Sequence, residues 1–287
     1  MRITNGMISS RALRDLQQNY AGLAKVQEKI SSGRRLNRPS DDPAQVRTAV
    51  KVRESLNALG QHLRNIDTAE RATSTAENAL AGAGDIVARA KELAIQAANG
   101  TLSASERIAI GIEVRQLGEA LVGLANAKSG EDYVFSGQRT RTPPYASLGA
   151  PYAGDGGAIN ARIAPGVTVA INVTADNAFG PALAALAQLG TDLAAGNPPG
   201  AGSLGVIDAG LDALLGARSQ IGAVENRMTD TRNFVEAGEL AATRLLSTLE
   251  DADMAEVISE AATRQATYEA ALAVNARIMR RSLVDEL

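Results

Sequence analysis

The sequence predicts a mainly α-helical protein in which a small β-containing domain is inserted between long helical arms drawn from both ends of the chain. Three observations carry this reading. Apolar residues recur at 3–4 spacing near both termini. Across residues 130–202 that pattern breaks, with Pro143-Pro144, Gly149, Pro151, Gly154, Gly156-Gly157 and Pro165-Gly166 in one stretch. Finally, 45% of the residues are apolar but only 3% are aromatic, with no Trp. An interior made of Ala, Leu, Val and Ile suits closely packed helices better than a round globule.

The N-terminal arm shows Leu13, Leu16, Tyr20, Leu23 and Ile30 in one stripe, with polar Gln27 at a seam position. The stripe stops at Ser31-Ser32-Gly33, where glycine can take the left-handed conformation that ends a helix. A loop follows, Asn37-Arg38-Pro39-Ser40-Asp41-Asp42-Pro43. Its prolines disfavour helix before them, and Ser40, Asp41 and Asp42 suit a helix N-cap and first turn. Helix resumes through Val52, Leu56, Leu59, Leu63 and Ile66 and continues to Ala98, ending at Asn99-Gly100. Ser103-x-x-Glu106 has the form of a capping box and opens another helix with Ile110, Val114, Leu117, Leu121 and Leu124.

In the middle of the chain, 158–163 and 167–173 alternate like two short strands around Pro165-Gly166. Residues 183–193 read as a short helix. From Val206 onward the helical pattern returns, with Leu214, Ile221, Met228, Val235 and Leu249 in one register and Val224 and Leu245 on its companion. After Glu250-Asp251-Ala252-Asp253 a second stripe takes over: Met254, Val257, Ala261, Tyr268, Ala271 and Ile278. A helix of ~35 residues is about 50 Å long, so these arms are rods. Their stripes must be buried against each other or against neighbouring subunits. Each bulky seam residue contributes roughly 1.5–3 kcal/mol when fully buried.

Several function classes are disfavoured. The formal charge is −3, with Lys and Arg spread out and no aromatic residues interleaved, so a nucleic-acid partner is not expected. No stretch approaches the ~18 apolar residues of a membrane span, so no membrane insertion is expected. Met1-Arg2-Ile3-Thr4-Asn5-Gly6 has neither an apolar core nor a cleavage site of a secretory signal peptide. The absence of Cys excludes disulfides and thiolate metal sites.

No constellation of catalytic, cofactor-binding or metal-binding residues emerges. His62, the only histidine, reads as a solvated helix position. Asp41-Asp42 reads as a helix cap with a subunit contact rather than an acid–base pair. Asp251 and Asp253 lack the glycine and distal Glu of a calcium loop, so a hinge or cap is the better reading. The glycines at 154, 156 and 157 match neither phosphate-binding fingerprint. An enzyme using this Gly-rich insert remains a remote alternative.

Residues 30–44, Ile-Ser-Ser-Gly-Arg-Arg-Leu-Asn-Arg-Pro-Ser-Asp-Asp-Pro-Ala, resemble the N-terminal signature shared by bacterial flagellins and hook-associated proteins. Residues 65–70, Asn-Ile-Asp-Thr-Ala-Glu, and 249–256, Leu-Glu-Asp-Ala-Asp-Met-Ala-Glu, look like the same superfamily. The Arg38–Pro43 form of the loop, the Asp132-Tyr133-Val134-Phe135-Ser136-Gly137 segment and Tyr152-Ala153-Gly154-Asp155-Gly156 are similar to its hook–filament junction branch. The last residues, 282–287, match the usual ending only loosely.

The resemblance implies long antiparallel helices from both termini forming a rod. Residues 1–40 and 254–287 would be the inner-tube domain, 41–138 and 206–253 a helical rod domain, and 139–205 the β-containing outer domain. It implies a structural, non-enzymatic part of the extracellular bacterial flagellum that joins hook to filament in a ring-like self-assembly. The partners implied are the first junction protein, flagellin and a cytosolic chaperone on the C-terminal helix. Export would use the flagellar type III route without a cleavable signal peptide. Leu13, Leu16, Leu23 and Ile30 would meet Val257, Tyr268 and Ile278 in the assembly interface. Arg38, Pro39, Ser40, Asp41, Asp42 and Pro43 with Asp251 and Asp253 would form the loop and cap motif. A short flagellin, which makes filaments by itself, is the leading alternative.

Overall fold

The computed structural model describes residues 5–284. Seven helices and four short strands follow in the order α1 (Asn5–Ser32), α2 (Pro43–Ala97), α3 (Ala104–Ala125), β1 (Lys128–Ser129), β2 (Asp132–Tyr133), β3 (Asn160–Ala164), β4 (Val167–Ala170), α4 (Ala175–Ala178), α5 (Gly180–Ala194), α6 (Ser203–Glu250) and α7 (Met254–Val284). The mainly helical class with an inserted β-containing segment is therefore present. The helix boundaries fall where the cap chemistry puts them. Gly33 has φ 68° and its N–H donates to the Lys29 carbonyl at 2.9 Å, ending α1. Both halves of the Ser103–Glu106 capping box are made at the start of α3.

Two compact units divide the chain, residues 1–58 with 238–287 and residues 59–237. The divisions fall inside α2 and α6, which each contribute to both units. The positions 40/41 and 253/254 both lie inside the first of these units.

In the central unit one core is shared by α2, α3, α5 and the first part of α6, with Phe135, Tyr145 and Phe179 supplying its aromatic volume. Phe135 meets Phe179 edge-on at 4.9 Å between ring centroids. From residues 139–205, Tyr145, Val173, Phe179, Leu186 and Leu193 belong to this core. Two glycines set how close its helices come. A Cβ on Gly210 of α6 would lie 2.7 Å from the Cα of Ala182 in α5, and one on Gly111 of α3 would lie 2.8 Å from the Cβ of Leu193. The first part of the α6 stripe is buried as the heptad spacing predicts, with Leu214, Ile221, Met228 and Val235 all at 1% exposure or less, whereas Val224 and Leu249 are half-buried and Leu245 is exposed.

A second, smaller core lies under the β3–β4 hairpin, where Ile163 and Val169 meet Ile66, Ala69 and Met228. The hairpin turns at Gly166, φ 75°, and its register shifts between Arg162 and Ala164. This hairpin corrects the reading of His62. The imidazole is 7% exposed, not solvated, and its Nδ1 lies 3.3 Å from the Arg162 carbonyl oxygen, which also accepts from Asn65 Nδ2 at 2.9 Å. The β1–β2 pair, Lys128↔Tyr133 and Ser129↔Asp132, was not anticipated, since two-residue strands leave no alternation to read.

Candidate functional site

The terminal unit holds every residue of the expected assembly interface and of the loop and cap motif. Its helices α1 and α7 run antiparallel. Asn275 Nδ2 donates to the Ala12 carbonyl at 3.4 Å, Tyr20 and Tyr268 lie 5.8 Å apart, Arg264 crosses Gly22, and Lys29 Nζ is 3.7 Å from Glu260. Of the polar residues in the C-terminal stripe, Asn275 thus bonds across the pair, while Arg264 packs over Gly22 and bonds to Glu260 on its own helix.

Burial in this pair is thin. Val26 and Val257 are its buried large residues among those described, at 2% and 6% exposure. Leu16, Leu23, Ile30 and Tyr268 are half-buried in the seam. Leu13 is 50% exposed and stands outside it, and the side chain of Ile278 lies outside the described residues. Gln27 is exposed, because the seam passes from Leu23 through Val26 to Ile30. Leu13, Tyr20, Ile258, Leu272 and Val274 leave large apolar surfaces uncovered. A groove of about 1040 Å³ opens near the chain ends, lined by Met7, Ala12, Thr267, Ala271 and Val274.

At the other end of the pair, the α1–α2 linker meets the α6–α7 linker and the two form a latch. Arg35 N–H donates to the Glu250 carbonyl at 2.7 Å and Ala252 N–H donates to the Gly33 carbonyl at 3.0 Å, with Arg34 and Asp251 paired as an isolated antiparallel bridge. The Glu250 side chain, 4% exposed as a residue, turns inward and receives Arg53 Nη2 at 2.6 Å, with Arg34 Nη1 at 3.9 Å. Arg35 Nη2 donates to the Leu249 carbonyl at 3.1 Å. These are charge-assisted contacts around one buried carboxylate.

The aspartates divide the remaining work. Asp42 is the N-cap of α2: its Oδ1 accepts from Ala44 and Gln45 N–H groups at 3.0 Å, and Pro43 takes the first helical position. Asp253 caps α7 in the same way, accepting from Ala255 and Glu256. Asp41 is not a cap. Its Oδ2 accepts from Asn37 and Arg38 N–H groups at 3.2 and 2.9 Å, closing the loop on itself, while Lys25 Nζ lies 2.8 Å from Oδ1. The Lys25 ammonium, helped by the backbone donors of Arg38 and Asn37, holds the Asp41 carboxyl down at about 2. Asp251 accepts from the Ser247 hydroxyl. Arg38 reaches Glu28 at 2.9 Å, whereas Pro39 and Ser40 stay exposed at the tip and Ser40 caps nothing among the described residues.

The sequence pointed to loop and cap residues in both linkers but not to Glu250, Arg53, Arg34 and Arg35, which hold the linkers together. Among the described residues no group of three His, Asp or Glu side chains is gathered as a metal site, and no helix is long and apolar enough to cross a membrane. The arrangement presents apolar surface and fixed linkers.

Two family models match the chain, the bacterial flagellin N-terminal helical region over residues 3–140 and the C-terminal helical region over residues 204–286. Flagellar hook-associated protein 3 of Escherichia coli is 26% identical over 180 residues, covering 62% of this chain and 57% of that protein. The chain thus spans a little over half the length of that relative. Flagellin FlaB1 of Treponema pallidum is 28% identical over 284 residues, covering 96% of each chain. The solved structure of flagellar hook associated protein-3 from Legionella pneumophila shares the fold, with a TM-score of 0.64 at 17% identity over 70% of this chain and 98% of that one. With both helical ends matched by family models and the latch formed by the motif residues of those ends, the chain belongs to the superfamily of bacterial flagellins and flagellar hook-associated proteins.

Proposed function

We propose that the chain is a non-catalytic structural subunit that joins the flagellar hook to its filament and polymerises through its N- and C-terminal helices. The uncovered apolar surface of the α1–α7 pair carries this reading. Five large side chains, Leu13, Tyr20, Ile258, Leu272 and Val274, exposed from 42% at Leu272 to 60% at Tyr20, are left to water in the unassembled chain. A two-helix pair with two fully buried large residues gains little from its own seam. Neighbouring copies stacked on α1 and α7 would cover what remains.

In that assembly, residues 1–40 and 254–287 form the inner layer, 41–138 and 206–253 the rod layer, and 139–205 the outward face. Leu13, Leu16, Leu23, Ile30, Val257, Tyr268 and Ile278 hold the inner layer. The first junction protein lies on one axial side and flagellin on the other. Before export a cytosolic chaperone covers the C-terminal helix. The similarity to hook-associated protein 3 supports the junction role.

A second reading, a short flagellin, is favoured by one observation: the match to the Treponema pallidum flagellin runs nearly end to end in both chains. Electron microscopy of concentrated protein after addition of ammonium sulfate separates the two. Persistent monomers that add only to hooks carrying the first junction protein support the junction. Long regular filaments of the pure chain overturn it in favour of flagellin. Leu13→Asp, at an exposed position, leaves the helical fold intact and abolishes incorporation in either case. Normal incorporation of that variant refutes the inner-layer interface.

A further inference from the structure

The corner between α2 and α3 lies far along the sequence from the latch and serves no role in the assembly reading. It is built on Asn99-Gly100, one of two Asn-Gly pairs in the chain. The other, Asn5-Gly6, opens α1 and its side chains lie outside the described residues. Asn99 and Gly100 are both exposed, and nothing lies within 4 Å of where a Cβ on Gly100 would stand. Apart from its chain neighbours, the Gly100 backbone is thus uncrowded and open to solvent.

The Asn99 side chain is held rather than free. Its Oδ1 accepts from the Thr101 N–H at 3.2 Å and from the Thr101 hydroxyl at 3.0 Å. Those two donors draw the carboxamide forward along the chain, toward the residue beyond Gly100. They also withdraw electron density from Cγ and are aimed at the oxygen on which negative charge develops when a nucleophile adds there. The Asn99 backbone is fixed as well. Its N–H donates to Gln96, and its carbonyl accepts from Leu102 N–H at 3.2 Å and from Arg107 Nη2 at 3.4 Å. Among the described residues the Gly100 N–H donates to no backbone carbonyl outside the helices and strands. A fixed electrophile, an oxygen held by two donors and an adjacent unengaged nitrogen are the elements of an intramolecular addition.

We propose that Asn99 is a site of spontaneous covalent modification in the folded protein, cyclising onto the Gly100 nitrogen and opening to aspartate and isoaspartate. The backbone nitrogen of Gly100 forms a bond to Cγ of Asn99. The Cγ–Nδ2 bond breaks, and the nitrogen leaves as ammonia carrying the proton lost from Gly100. Water then adds to either carbonyl of the cyclic imide, and the ring opens to a carboxylate. No oxidation state changes, and solvent supplies the water. The Arg107 guanidinium, which contacts the Asn99 and Ala97 main-chain carbonyls, is the cation at this corner that the new charge would meet. The isoaspartate form adds a methylene to the main chain and removes the register of the Leu102-to-Asn99 hydrogen bond, loosening the corner that ends α2.

The test uses the full chain, incubated at mildly alkaline pH in water enriched in heavy oxygen, followed by peptide mapping and isoaspartate detection at residue 99. Conversion at residue 99 in the folded chain, with one solvent oxygen incorporated, is the expected result. Thr101→Ala removes the hydroxyl donor and slows conversion roughly tenfold, below the 10²–10³ lost from an enclosed oxyanion hole because the corner is open to water. Helical circular dichroism of that exposed variant matches the parent. An unmodified Asn99 in the folded chain, over a period in which the urea-unfolded chain converts, overturns the proposal. Equal rates for Thr101→Ala and the parent overturn it too.

Discussion

Removing the two partners of the buried latch pair one at a time should have unequal consequences. Glu250 is 4% exposed, whereas the Arg53 side chain is 48% exposed. Arg53→Ala strands a carboxylate that water does not reach, and breaking a buried pair in this sense costs about 3–5 kcal/mol. Arg34, at 3.9 Å, relieves only part of that cost, because a contact this long is outside hydrogen-bond range. Glu250→Ala strands a guanidinium that can turn into solvent, so the loss is that of a charge-assisted hydrogen bond, about 1.5–3 kcal/mol. The double variant falls below the sum of the singles, since neither charge is left behind. The assay is native-state hydrogen exchange at the Arg35 and Ala252 amides, which donate across the two linkers. Their opening free energy reports the latch directly, without assuming that both compact units unfold together. Equal losses, or a larger loss for Glu250→Ala, would refute the claim that burial of the carboxylate sets the cost.

The Asp41 loop should respond to acid. With its carboxyl held down at about 2, the folded loop binds its proton later than the unfolded chain, whose Asp titrates near ~3.9. Its contribution is therefore complete above about pH 4 and is lost as pH falls toward 2. Exchange protection at the Asn37 and Arg38 amides tracks that loss, and Asp41→Asn flattens it; an unchanged profile in the variant would count against the Lys25 pairing. In the central unit, Gly216→Ala gains about 0.5–1 kcal/mol in thermal or urea unfolding, since no atom stands within 4 Å of its Cβ. Gly210→Ala loses about 1–3 kcal/mol by pushing α5 off α6, partly offset by the same propensity gain.

The helical architecture was legible because its signals are local and redundant. Gly33, Asp42 and the Ser103–Glu106 box each act within a few residues, and each ended or began a helix where its chemistry demands. The β3–β4 hairpin was legible for the same reason, since alternation around Pro165-Gly166 fixes both strands at once. What escaped was non-local. His62 is buried by a hairpin a hundred positions away, and a helical sequence carries no mark of what later covers it. Val26 replaces Gln27 in the α1 seam because Leu23 and Ile30 fit either register, and only the partner helix decides between them.

The latch shows why the site was only half visible. Its caps, Asp42 and Asp253, are short-range and could be read from proline and carboxylate spacing. Its lock joins Glu250 to Arg53 and Arg34, roughly two hundred residues away, and nothing in a run of alternating charges distinguishes a buried Glu from a solvated one. The backbone bridge then makes the lock specific, because Arg35 and Ala252 can donate as they do only when Gly33 has turned the chain out of α1. A glycine that any helix could end on therefore becomes a position with a defined partner. If so, Gly33→Val should lower the exchange protection of Ala252 along with that of Arg35, even though residue 33 touches neither side chain of the Glu250–Arg53 pair. Loss confined to the end of α1 would mean that the two linkers close independently.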